Sequence, residues 1–193
     1  MSWQKERRWI KLKEKIKMYE WNYFYGAIML DEDYSGFLNF INNKMRDQKY
    51  FYFHPEIFSR ATQEPAYYYD NILISFGRTE RWLIDDTREL QNFIREFEEI
   101  LSHLDFEHAQ IKTGGINSDH SFFWSNKKKT TSSYHSDKMM DILKHYQIRL
   151  YESEKYYFGL GEINLSTGMF NRKNDDHNLS SFDRQYNNFS YPF

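Results

Sequence analysis

Three consecutive acids, Asp31-Glu32-Asp33, are the residues whose type and spacing come nearest to an enzyme. Carboxylates at the end of a strand can hold two divalent ions for phosphoryl transfer. Such a site needs a further carboxylate from a neighbouring hairpin, and Glu56 and Glu64 stand instead in a proline-containing loop. Asp33 also precedes an apolar run at helical spacing, where an N-cap explains it more simply. No catalytic residue and no metal ligand is assigned.

The stretch "TGGINSDHSFFWSNKKKTTSSYHSD" (113–137) raises phosphate binding as a second chemistry. A phosphate-cradling loop runs straight from glycines into Gly-Lys-Ser/Thr at a helix start. Here Gly114-Gly115 leads into Ile116-Asn117, and Lys127, Lys128 and Lys129 come a dozen residues later. The glycines suit a hairpin turn, and the lysines a solvated loop able to touch an anionic partner. His103 and His108 stand five apart rather than at the i, i+4 spacing of helical zinc motifs. "GLG" (159–161) lacks the third glycine and following helix of a dinucleotide fingerprint. No cofactor is expected.

Composition narrows the class. The chain has 193 residues with 40% hydrophobic and 28% charged side chains, a formal charge of −2 and no cysteine. That is a globular composition without a disulfide framework, and it suits a reducing compartment such as the cytoplasm. The near-neutral balance argues against duplex nucleic acid, whose readers carry a basic excess. The longest apolar run, Trp21–Leu30, is half of what a membrane span needs. Aromatics reach 20%, and valine is absent. Together with abundant Asn, Lys, Ile and Tyr, this suggests an AT-rich bacterial or phage genome.

Periodicity supplies the elements that would position these residues. Residues 1–20 carry seven Lys/Arg against three Asp/Glu and place Trp9, Leu12, Ile16 and Tyr19 on one stripe, a basic amphipathic helix packed on the domain. Residues 21–170 read as a single domain. It holds a strand over 22–30, a helix with Tyr34, Phe37, Leu38, Ile41 and Met45 inward, and strands over 49–58 and 67–77. A helix follows with Leu90, Phe93, Ile94, Phe97, Leu101 and Leu104 inward and Glu96, Glu98 and Glu99 outward, started by a capping box at Asp86/Glu89. Strands over 106–115 and 120–124, a helix over 136–150 with Leu150 inward, and a hairpin over 155–170 complete it. Residues 171–193 are a polar aromatic tail, either loose or pinned by Phe182, Tyr186, Phe189 and Tyr191.

The order predicts an α+β fold: an antiparallel sheet with helices on one face. The core is expected to be ferredoxin-like (split βαβ), with an N-terminal helix and a C-terminal helix-hairpin extension. Strand alternation then directs Phe24, Phe51, Phe53, Ile72 and Ile74 toward the helices. Tyr23, Tyr25, Tyr50, Tyr52, Tyr67 and Tyr69 gather on the opposite face. Tyrosine joins a rigid apolar ring to a hydroxyl, which suits an interface. The expected function is therefore non-enzymatic: a cytoplasmic protein of immunity-protein or phage anti-defence type, which inhibits a protein target by covering its site. The partner-binding residues are the six tyrosines with Lys127, Lys128 and Lys129. No membrane is involved. RNA stacked on the tyrosine face is the first alternative, and divalent-metal phosphoryl transfer through Asp31 and Asp33 the second.

Overall fold

A computed structural model describes residues 22–31, 33–47, 49–59, 72–80, 84, 86–114, 120–130, 148–164, 169–170 and 188–193. The N-terminal helix, Tyr67, Tyr69 and most of the expected third helix lie outside these residues. No helix among the described residues is long and apolar enough to cross a membrane.

The chain is an α+β fold built on an open antiparallel sheet. Strand β1 spans Asn22–Leu30, β2 Ile72–Glu80, β3 Phe106–Gly114, β4 His120–Asn126, β5 Ile148–Glu152, β6 Tyr156–Asn164 and β7 Met169–Phe170. The sheet order is β2-β1-β3-β4-β6-β5, with β7 pairing β6 through Ile163↔Phe170 and Asn164↔Met169. Both β2 and β3 are antiparallel to β1. They therefore run parallel to each other on either side of it, and a helix crosses between them.

That helix, α2 (Thr87–Ser102), follows α1, which begins at Tyr34–Asn39, widens into a π-turn over Phe40–Lys44 and closes at Met45–Asp47. Each starts on the aspartate expected to cap it: Asp33 Oδ1 accepts from Gly36 N at 2.7 Å, and Asp86 Oδ1 accepts from Glu89 N at 2.8 Å. Gly36 is required by the first cap, since a Cβ there would stand 1.9 Å from Asp33 Oδ2. The extra residue of the π-turn lets Phe40 join Tyr34, Phe37, Ile41 and Met45 in the interior.

Aromatic rings fill the core. Phe93 on α2 packs edge-on against Phe24 of β1, with centroids 5.4 Å apart, and lies 5.7 Å from Phe122 of β4. Phe97 lies 4.8 Å from Trp124 and 5.5 Å from Phe76. Phe58 links α1 to the same side, touching both Phe37 and Phe76. Both helices thus cover one face of the sheet. Phe24, Ile72 and Ile74 are buried there, as alternation predicts, and Phe53 is buried with them from outside the sheet.

The strand expected over 49–58 does not form, so the second strand of the expected ferredoxin-like order is missing. Glu96 of α2 is the reason. Its Oε2 accepts from Phe51 N at 3.0 Å, and its Oε1 from Tyr52 N at 2.7 Å and Phe53 N at 2.8 Å. Three successive amides converging on one carboxylate cannot belong to a strand, where successive N–H groups point to opposite sides. His54 then caps a short 3-10 turn at Pro55–Ile57, and only Phe58 bridges to β2. β2 therefore has a full ladder with β1 alone and meets this segment at the Phe58↔Phe76 bridge and through Ser59 N, which donates to the Ser75 carbonyl at 2.8 Å.

The C-terminal extension differs too. Residues 148–152 form β5, so Leu150 lies in a strand opposite Gly159 and not in a helix. The tail end is pinned as two of its rings suggested: Phe189 and Tyr191 pack against Tyr151.

Candidate functional site

The face of the sheet turned away from α1 and α2 is open at one end. Tyr23 and Tyr25 project from β1 and are 38% and 50% exposed, with their rings stacked at 6.2 Å and 18°. The β1–β2 register places Tyr25 opposite Gly77, Tyr23 opposite Thr79 and Met29 opposite Leu73, which is 65% exposed. Ala27 and Ser75 pair between them. On the other flank, β3 sets Lys112 beside Tyr25 and Gln110 beside Ala27. The open region ends at β4, where Ser121, opposite Lys112, is fully buried. Among the described residues, what remains is a patch of two phenols, Leu73, Met29 and small side chains, with Lys112 and Gln110 at its margin.

The six-tyrosine plane expected from the sequence is therefore smaller. Tyr23 and Tyr25 are on it, whereas Tyr67 and Tyr69 lie outside the described residues. Tyr50 and Tyr52 are on the opposite side of the molecule, carried there by the Glu96 anchor. Tyr52 is 7% exposed and packs edge-on against Phe93. Burial raises the hydroxyls of Tyr50 and Tyr52 to about 12, assisted by Glu99 and Glu96 at the first and by Glu89, Glu96 and Asp86 at the second. Phe51, expected inside, is instead 72% exposed. Leu73 was the missed surface residue: its alternation with Ile72 and Ile74 already marked it as facing away from the helices.

The lysines are not with the tyrosines. Lys127–Thr130 forms a helical turn directly after β4. Lys127 pairs with Glu152, donates to the Ser153 carbonyl at 3.1 Å and lies over the Tyr157 ring. Lys129 bridges two carboxylates, Asp31 and Asp105, each at 2.6 Å. Lys128 is exposed, with its backbone N–H on Asn126 Oδ1. Lys127 and Lys129 thus tie strand ends together, and Asp31 and Asp33 serve as ion-pair partner and helix cap.

Two acids read as solvent-facing turn inward. Glu96 holds the 51–53 segment. Glu98 accepts from Trp124 Nε1 at 2.9 Å and from the Tyr191 hydroxyl at 2.7 Å. Burial raises the Glu98 carboxyl above its ordinary range, while the Tyr191 and Trp124 hydrogen bonds and the charge of Lys155 oppose that rise. Because the folded chain holds this proton to higher pH than the unfolded chain does, the stability linked to it is complete below the ordinary value of about 4.5 and is lost as pH rises through the raised one. Glu98→Gln, which does not titrate, removes that component. Urea unfolding from pH 4 to 7 should show wild type losing stability relative to the variant as pH rises.

Two shallow polar hollows of about 450 and 480 Å³ lie on α2 and share Asn92 and Glu96. Among the described residues, no group of three His, Asp or Glu side chains is placed to hold a metal ion. Among the described residues, Tyr23, Tyr25 and Leu73 are thus the exposed large side chains on the open face of an antiparallel sheet, and no family model, curated protein or solved structure matches this chain.

Proposed function

We propose that this chain is a binding protein that neutralises a protein target by laying the Tyr23/Tyr25/Leu73 patch over the target's working surface, in the manner of an immunity or phage anti-defence protein of the cytoplasm. The observation that carries the reading is the stacked, half-exposed tyrosine pair, with exposed Leu73 across the β1–β2 ladder. Such rings lose little conformational freedom on docking and combine apolar area with a hydrogen-bonding tip, the chemistry favoured at protein contacts. Three central anchors of this size suffice for an interface whose surrounding contacts only exclude water. Any kinship with ferredoxin-like sandwiches would rest on the β2-α2-β3 crossover around β1.

RNA remains the second reading, because a stacked tyrosine pair beside Lys112 also offers a platform for bases. Salt separates the two: counterion release makes RNA binding fall steeply with ionic strength.

The test is retention of a partner from native-host lysate, read by mass spectrometry, with the full chain and with Tyr23→Ser/Tyr25→Ser. The wild type should retain one protein, and the double variant should retain it at least about 10-fold less. Melting should stay nearly unchanged, since exposed substitutions of this kind shift stability by about 0.5 kcal/mol or less. Retention of RNA alone, abolished by raised salt, would transfer the patch to the second reading. Equal retention of the protein by both chains would remove the patch from function.

A further inference from the structure

Strand β2 stands at one end of the sheet order, so a row of its backbone groups faces away from β1. Part of that row is in use. Ser59 N donates to the Ser75 carbonyl at 2.8 Å, and Ser75 N donates to Ser59 Oγ at 3.0 Å. Ser75 thus turns its N–H and C=O outward, and the two-residue period of a strand gives Thr79 the same orientation. The covering segment meets β2 at Ser75 and at the Phe58↔Phe76 bridge. Thr79 lies beyond it and is exposed. Among the described residues, no group bonds its N–H or C=O on the outer side.

An open edge is a template for another strand, and natural sheets commonly blunt it with charge. Here the charges are of opposite sign and two positions apart. Arg78 and Glu80 flank Thr79 and pair with each other, and Arg78 Nη1 also donates to the carbonyl of exposed Phe51 at 3.0 Å. Two identical edges related by a two-fold axis meet antiparallel, with outward-facing residues opposite outward-facing ones. The axis must then pass through a residue. At Gly77 it would set Thr79 against Ser75, whose groups Ser59 already holds. At Arg78 or Glu80 it would set like charges opposite each other. At Thr79 it sets Arg78 of each copy against Glu80 of the other. Facing opposite charges stabilise a strand pair and facing like charges destabilise it, so the pattern that protects this edge in neighbouring registers favours this one.

We propose that the β2 edge is a self-association site, at which a second copy of this chain pairs antiparallel about Thr79 and joins the two sheets into one. Each Thr79 exchanges N–H···O=C bonds with its counterpart, and the two Arg78–Glu80 pairs become a ring of four alternating charges. The open faces of the two copies then lie on the same side, with Tyr23, which pairs with Thr79 across the β1–β2 ladder, next to the junction in each. The contact uses backbone and charge rather than phenols, and it stands independently of the target of the tyrosine patch. An edge this short makes a weak dimer that depends on concentration.

Sedimentation velocity of the full chain at low salt, from about 5 to 500 µM, should show a monomer–dimer equilibrium. Thr79→Pro removes the outward N–H and leaves the hydrogen bonds to β1 in place, a change that edge strands tolerate. It should weaken the dimer at least about 10-fold, through the two hydrogen bonds lost. Charge gives a second arm. Arg78→Glu and Glu80→Arg each set like charges opposite one another in a homodimer, whereas every facing pair in their mixture is of opposite sign. The two variants should bind each other at least about 10-fold more tightly than either binds itself. A wild type that stays monomeric throughout overturns the proposal, as does a dimer untouched by Thr79→Pro. Should that variant fail to fold, the charge arm decides: charge variants that associate no better mixed than alone overturn the contact about Thr79.

Discussion

Gly26→Ala is expected to destabilise the fold by about 3 kcal/mol or more, although it adds one methyl group to the middle of a strand. A Cβ at this position would lie 2.3 Å from the Gln110 carbonyl oxygen and 2.6 Å from Phe76 Cζ. The first obstacle is backbone of the neighbouring strand, fixed by the β1–β3 ladder through Gly26↔Ile111 and Ala27↔Gln110. The second is a ring wedged against Phe97, Phe53 and Phe58. Neither can yield without shifting a strand or the aromatic core, and overpacking without relief lies at the costly end of core substitutions. Urea unfolding should show a lowered midpoint with unchanged slope, and melting should fall by about 6–12 °C for a chain of this length. A background of Phe76→Leu removes the ring but not the carbonyl. In that cycle the cost of Gly26→Ala should fall and stay well above zero. Full tolerance of the alanine in wild type would mean that β1 and β3 do not approach as described.

Glu96→Ala should cost about 3 kcal/mol, a large effect for a charged residue on a helix. The carboxylate is the common acceptor for three consecutive amides, and each orphaned donor away from water costs roughly 1–3 kcal/mol. Loss of the anchor also loosens Phe53, which is fully buried and touches Phe24, Phe76, Phe93 and Phe97. Glu96→Gln gives a sharper test. Its amide oxygen can replace Oε1 and serve Tyr52 and Phe53, while its NH₂ group would oppose the Phe51 N–H. The glutamine variant should therefore fall between wild type and alanine, at about 1–2 kcal/mol. Amide hydrogen exchange should show Tyr52 and Phe53 protected in wild type, less so in glutamine and unprotected in alanine. Equal stability of all three chains would show that the segment is held by its rings alone.

Short-range chemistry was legible in the sequence. The caps at Asp33 and Asp86, the apolar stripe of α2 and the alternation of Phe24, Ile72 and Ile74 each depend on residues a few positions apart. The α+β class and the placement of α1 and α2 on one face followed from those local periods. Within the tyrosine patch, Tyr23 and Tyr25 were placed on the face they occupy because β1 is a regular strand. Tyr50 and Tyr52 were misplaced because their stretch is as β-prone as β1 by composition, and a strand there would have put them alongside.

Tertiary structure decided that stretch through one residue 43 to 45 positions away: Glu96 takes three successive amide hydrogens, which a strand would have pointed alternately to its two sides. The same limit hid Glu98, which spacing along the helix assigns to water and which Trp124 and Tyr191 draw inside from 26 and 93 residues away. Periodicity states which side of its own element a residue occupies. Whether that side meets solvent or another part of the chain depends on distant segments, and for Glu96 and Glu98 those segments bring hydrogen-bond donors that repay the loss of water.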